Sequence, residues 1–180
     1  GAAPGDDKVY AFHGEPAQGG DGIEAMLDIE YMMGITPGLK TEFYEQMNQN
    51  FCGDLKNWTT LLLATDDVPL VHSVSYGQLE SETDKGSQQA FNAEAVKLGA
   101  RGISLLVSSG DDGVAGPNAR TSVGLCGYAP QWPATSPWVT TVGATQGPEL
   151  GAGVPEVACS SSNNNTFITS GGGFSAAFAT

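Results

Sequence analysis

This chain has little positive charge, little sulfur and no long apolar run. Only 7 lysines and arginines stand against 20 aspartates and glutamates in 180 residues, so the formal charge is −13 and the pI lies near 4.2. Such a surface repels phosphate backbones, and no nucleic-acid partner is expected. No stretch is long and apolar enough to span a bilayer; Leu61-Leu-Leu-Ala64 reads as the inner face of a short helix. The start of the chain carries no apolar signal-peptide core. The three cysteines, Cys52, Cys126 and Cys159, have no metal-ligand spacing, which argues against zinc. Their odd number leaves one thiol over, either free or paired outside the chain. Asn57-Trp-Thr and Asn164-Asn-Thr match the glycosylation sequon and are expected in exposed, polar stretches.

Glycine and proline are plentiful instead. With 25 and 10 of them, the chain must contain many turns and long ordered loops, more than a helical bundle would use. Its length suffices for one domain with a real core. Residues 1–21 read as an N-terminal loop segment with a short strand at 9–12. Helices are predicted at about 22–33, 54–64 and 83–98, and strands near 40–44, 68–76, 103–107 and 139–142. Leu55, Trp58, Leu61 and Leu62 are expected on one helix face, and Ala90, Phe91, Ala95 and Leu98 on another. Gly99 is the expected stop of the third helix. Residues 109–137 form a loop too long to be a mere connector, and 146–166 a polar loop. Helices alternating with buried strands indicate an α/β layer with a parallel sheet, whose ligands bind beyond the carboxyl ends of the strands.

Within the first helix, Glu24 and Asp28 are four residues apart, one turn on the same face. Ile23, Met26, Leu27 and Ile29 around them predict a packed helix, with Met26, Met32 and Met33 filling core gaps. Two carboxylates held together away from water cannot both ionise freely, which raises at least one pKa. A lone Glu-x-x-x-Asp is usually a solvated acidic turn. The neighbouring blocks separate the two readings. Glu-Ala-Met-Leu-Asp-Ile-Glu-Tyr (24–31), Val-His-Ser-Val-Ser-Tyr-Gly (71–77), Ser-Ser-Gly-Asp-Asp-Gly (108–113), Trp-Pro-Ala-Thr-Ser-Pro-Trp-Val-Thr-Thr-Val-Gly-Ala-Thr (132–145) and Ser-Gly-Gly-Gly-Phe-Ser (170–175) follow in that order.

Together these blocks resemble the sedolisin family of serine-carboxyl peptidases, near its tripeptidyl-peptidase I branch, from about Gly22 to Phe174. The resemblance implies a subtilisin-like, doubly wound parallel α/β sheet, incomplete in this chain. It also implies acid-pH hydrolysis of peptide bonds. Glu24 is then the general base, Asp28 the group that holds and tunes it, and Asp111 the oxyanion donor, all converging on the strand-end rim. Asp111 can donate only when protonated, so base and donor coexist most easily in acid. Ser75 and Gly77 are expected to offer main-chain groups to an extended peptide, with Tyr76 walling the site. An extracellular or lysosome-like acidic compartment goes with this reading.

One block of the family pattern does not occur. The nucleophile of the family lies in a Ser-Gly-Thr-Ser segment, and no such segment exists in these 180 residues. Residues 22–180 therefore read as a partial peptidase catalytic domain lacking its nucleophile-bearing C-terminal segment. Ser170 belongs to the Ser-Gly-Gly-Gly-Phe block, and Ser175 has no general-base motif beside it. Calcium, implied for the complete enzyme, would be held by later segments, leaving no metal site in this chain. A companion chain carrying the serine, disulfide-linked through the odd cysteine, is one expected partner besides the peptide or protein substrate.

Two other classes remain open on the sequence. An inactive fragment or peptide-binding domain would keep the fold without turnover. A nucleotide-binding domain is disfavoured because no Gly-x-Gly-x-x-G turn follows a strand, and Gly171-Gly-Gly173 lacks a following Lys-Ser/Thr. His72, in an apolar strand, reads as a packed imidazole, and His13 as a loop residue without a ligand partner. No Gly-x-Ser-x-Gly elbow supports a Ser-His-Asp triad. Glu30 and Asp112 read as solvent-facing.

Overall fold

The computed structural model describes residues 8–14, 22–45, 50–122, 124, 127–162 and 167–178. Cys126 and the second sequon lie outside them. The chain forms two compact units, one up to Leu70 and one from Val71.

In the first unit, β1 (Ala11–His13) pairs in parallel with β2 (Glu42–Tyr44), Ala11 opposite Glu42 and His13 opposite Tyr44. Between them runs α1 (Ile23–Ile35), which starts at Gly22 with no side-chain cap and ends where Pro37 forbids continuation. After β2 comes α2 (Phe51–Ala64), capped by Asn50, whose side chain accepts from the amide of Gly53. Its buried stripe is Leu55, Trp58, Thr59 and Leu62, the i, i+3, i+4, i+7 set. Leu61 lies some way round the helix and is exposed, contrary to the sequence expectation. Asn57 is exposed on α2, but Thr59 of its sequon is fully buried.

The expectation for α1 fails more broadly. None of its residues is buried, and Ile23, Met26, Leu27, Tyr31, Met32 and Ile35 are exposed. An all-round apolar sequence is the pattern of a core helix, yet burial needs a covering layer that local pattern cannot supply. His13 is also corrected. It ends β1, and its Nε2 lies 2.9 Å from Glu42 Oε2 while its ring stacks on Tyr44 at 4.3 Å. The Tyr44 hydroxyl donates to the same oxygen at 2.8 Å, and burial, then this bond, pushes its pKa upward.

The second unit is built on a parallel sheet in the order β3 (Val71–Val74), β5 (Ser104–Ser108), β7 (Thr140–Val142). The register sets Val71 against Ser104, and Leu106 against Thr140. Between β3 and β5 lie β4 (Gln78–Leu79), a single 3-10 turn at Glu80–Glu82 and α3 (Lys85–Ala100). Asp84 caps α3 by accepting from the amide of Ser87. Phe91, Ala95 and Leu98 face the core as expected, whereas Ala90 is exposed and Gln88 takes the fourth buried place. The helix runs past Gly99. Its stop is Gly102 at φ +82°, with Gly102 N–H donating to Gly99 and Ile103 N–H to Leu98, the paired bonds of a left-handed C-terminal cap.

The long loop after β5 holds a 3-10 turn (Pro117–Arg120) and β6 (Gln131–Trp132), which pairs antiparallel with β4. Trp132 is almost wholly buried and meets Phe91 edge-on at 5.3 Å. With Leu98, Leu105 and Val107 it forms the core beneath the sheet, each such side chain contributing about 1.5–3 kcal/mol by burial. His72 is buried in β3, where a packed imidazole was expected. The polar loop after β7 contains β8 (Thr145–Gln146) and β9 (Val157–Ala158), an antiparallel pair. No helix among the described residues is long and apolar enough to cross a membrane.

Candidate active site

The three parallel strands of the second unit end together at Val74, Ser108 and Val142. Beyond those ends lies a cleft of about 320 Å³, walled by Ser73, Ser75, Ser109, Asp111, Gly143 and Ala144 among others. The position follows from strand direction, since side chains and loop amides fan out where the ladder stops. Ser109 N–H still donates to Val142 at 2.9 Å, the last rung before the loop turns away. Gly110 makes that turn at φ +95°, and a β-carbon there would meet the Gln131 amide at 2.7–2.8 Å. Asp111 follows at once, with its side chain exposed towards solvent.

Asp111 is fixed through its backbone. Thr169 N–H donates to the Asp111 carbonyl at 2.7 Å, and Gly113 N–H donates to Thr169 at 3.0 Å. Gly171 N–H donates to Gly110 at 2.7 Å, so the Ser-Gly-Gly-Gly block lies alongside the Asp111 loop. Ser170 Oγ accepts from Ala144 N–H at 3.0 Å, joining the same block to the cleft wall after β7.

Arg120 adds the positive charge. Its Nε hydrogen-bonds Asp112 Oδ1, and its Nη2 stands 3.9 Å from Asp111 Oδ2. The Asp112 bond, then the charges of Asp112 and Asp111, push the guanidinium above its ordinary value, against partial desolvation. Asp112 is thereby corrected. Its side chain is only 10% exposed and ion-paired, not solvent-facing.

Of the residues singled out by sequence, Ser75 and Asp111 line one cleft. Tyr76 and Gly77 follow Ser75 directly and are exposed, but are not among the described residues that line it. Glu24 and Asp28 lie in the first unit, one turn apart on α1 and each half-buried. Sequence reasoning missed Arg120, eight residues from Asp112 in the same loop, and Thr169, whose bonds to Asp111 and Gly113 join segments brought together only by the fold. Among the described residues no group of three or more His, Cys, Asp or Glu could hold a metal ion.

Comparison with known proteins bears on the fold and the family. No family model matches the chain. Tripeptidyl-peptidase 1 of Bos taurus is 37% identical over 133 residues, which is 73% of this chain and 23% of that protein. Tripeptidyl-peptidase 1 of Homo sapiens is 35% identical over 166 residues, 92% of this chain and 28% of that protein. The chain thus spans about a quarter of the length of these curated relatives. A solved structure of Pseudomonas sedolisin, a serine-carboxyl proteinase complexed with two molecules of pseudo-iodotyrostatin, superimposes with a TM-score of 0.70 at 25% identity. It covers 93% of this chain and 50% of that one. The α/β architecture is therefore subtilisin-like, and the chain belongs to the sedolisin family, matching part of a catalytic domain of the tripeptidyl-peptidase 1 type.

Proposed function

We propose that this chain carries the carboxylate half of an acid-acting serine-carboxyl peptidase. The observation that supports this most is the placing of Asp111 on a strand-end cleft beside Ser75, in a chain that shares 35–37% of its residues with tripeptidyl-peptidases over the aligned stretch. A serine hydroxyl attacks a carbonyl only after a base takes its proton. Glu24 is assigned that role, and afterwards the return of the proton to the leaving amine. Asp28 orients Glu24 from one helical turn away, as a carboxylate orients the base in other triads. Asp111, protonated, donates to the tetrahedral oxyanion. Ser75 and Gly77 bind the peptide by main-chain bonds, and Tyr76 closes the side of the site. The nucleophile is a serine outside these 180 residues, on the same polypeptide or a companion chain, and calcium belongs to that part of the enzyme. An extracellular or lysosome-like acidic compartment suits these protonation states.

A second reading is a peptide-binding domain without turnover, which needs only the strand-end cleft and no nucleophile. A serine-reactive probe applied to the full-length protein at acid pH separates the two. Labelling of one serine outside residues 1–180, lost on heat unfolding, supports the peptidase. Saturable peptide binding with no labelled serine supports the binding domain.

A further inference from the structure

A buried carboxylate has no part in the mechanism above. Glu80 is 4% exposed, and none of the lysines or arginines among the described residues pairs with it. Its backbone is fixed from both sides. Glu80 N–H donates to Pro130, and its carbonyl accepts from Thr83 N–H and from Gln88 Nε2. That frame aims the side chain at a segment 95 residues further along. Oε1 accepts from Ser175 Oγ at 2.6 Å, and Oε2 accepts from Ala176 N–H at 2.8 Å. A carboxylate taken out of water is tolerated only where such bonds replace its hydration, so this glutamate has a tethering task that an apolar residue would not perform.

Ser175 and Glu80 have the residue types of a nucleophile and base, but the geometry excludes that role. Ser175 Oγ also accepts from Ala177 N–H at 3.0 Å and Phe178 N–H at 2.8 Å. A hydroxyl has one proton and two lone pairs, and all three are committed here. No lone pair is left to attack a carbonyl.

The tethered segment continues the Ser-Gly-Gly-Gly block that is bonded to the Asp111 loop. Its near end is bound to the Asp111 loop through Thr169 and Gly171. Its far end is held by Tyr128, whose hydroxyl donates to the Phe174 carbonyl at 2.5 Å, and then by Glu80. Between them lie Gly171, Gly172 and Gly173, a run with the largest conformational freedom that a chain can have. Such a run stays ordered beside the loop only if both ends are fixed.

We infer that Glu80 is a positioning residue, which by its bonds to Ser175 and Ala176 holds the Gly171–Phe174 segment and so the Ser109–Asp111 rim of the cleft. Its kinetic consequence rests on the peptidase reading; the clamp itself does not. Glutamine can serve Ala176 N–H through its one carbonyl oxygen. Its amide, however, would bring a third donor to Ser175 Oγ, so Glu80→Gln keeps half of the clamp.

The test is amide hydrogen exchange of the full-length protein, read by mass spectrometry, for Glu80→Ala, Glu80→Gln, Ser175→Ala and Ser175→Thr. Glu80→Ala and Ser175→Ala are expected to speed exchange at 171–178 by about tenfold or more, with the β3–β5–β7 sheet unchanged. Glu80→Gln falls between, and Ser175→Thr, which restores the hydroxyl, returns exchange towards the starting rate. With peptide substrates KM rises by about fivefold in the alanine variants while the shape of the pH profile stays fixed. Should Glu80→Ala fail to fold, Ser175→Ala cuts the same bond from the more accessible side. Unchanged exchange at 171–178, or an increase spread evenly through the sheet, overturns the clamp. Absence of peptide turnover in the parent protein overturns the peptidase reading alone, because exchange still decides the clamp.

Discussion

Gly171 packs its backbone against the carbonyl of Ser109. A β-carbon at Gly171 would stand 1.9 Å from that oxygen and 2.8 Å from the carbonyl oxygen of Gly110. The contact brings two distant parts of the chain together at the cleft, and it explains why a glycine occupies this position of the Ser-Gly-Gly-Gly block. No side chain, however small, fits between the two backbones.

Gly171→Ala is therefore expected to cost roughly 3 kcal/mol of stability, at the upper end of overpacking effects, because backbone rather than a flexible side chain must yield. Urea unfolding measures it. Gly172→Ala, where a β-carbon meets nothing nearer than a Val114 methyl at 3.6 Å, should change stability by less than about 1 kcal/mol.

The corrected face of α2 gives a second pair. Leu62 is fully buried and Leu61 is 37% exposed. Leu62→Ala is expected to lose about 2–5 kcal/mol and Leu61→Ala less than about 1 kcal/mol. Equal losses would restore the face drawn from sequence.

Sequence showed the order of helices and parallel strands because apolar periodicity and glycine placement act locally. It placed α3 and β5 within a few residues, and it placed Asp111 just after a strand end. It failed where neighbours decide. Ile23, Met26 and Leu27 look like core residues in the pattern of α1 but are exposed. Gly99 looked like a helix stop, whereas the left-handed conformation falls to Gly102. The bond of Asp112 to Arg120 forms within one folded loop, and that of Glu80 to Ser175 exists only after segments 95 residues apart have folded together, so neither has a signature in spacing.

The cap of α3 makes a pH prediction. The side-chain bond to Ser87 holds the Asp84 carboxyl below its ordinary value of 3.8. A depressed acid contributes stability that is fully present above the unfolded value and lost as pH falls through the folded one. Asp84→Ala should thus destabilise at pH 6 and flatten the loss of stability below about pH 4. Asp84→Asn keeps an acceptor for Ser87 N–H, so it should retain more stability at pH 6 while still flattening that acid limb. Thermal unfolding from pH 2.5 to 6 checks both.

The proposed role of Asp111 at acid pH is decided by the pH–rate profile of peptide hydrolysis by the full-length protein, compared with Asp111→Ala. The Asp111 side chain is 59% exposed, so its truncation should leave the fold intact. Turnover is expected only at acid pH, with a loss of about 10²–10³ in kcat for Asp111→Ala, the size expected for removing one oxyanion donor. A rate that climbs steadily to pH 8, or an Asp111→Ala variant as fast as the parent, would contradict it.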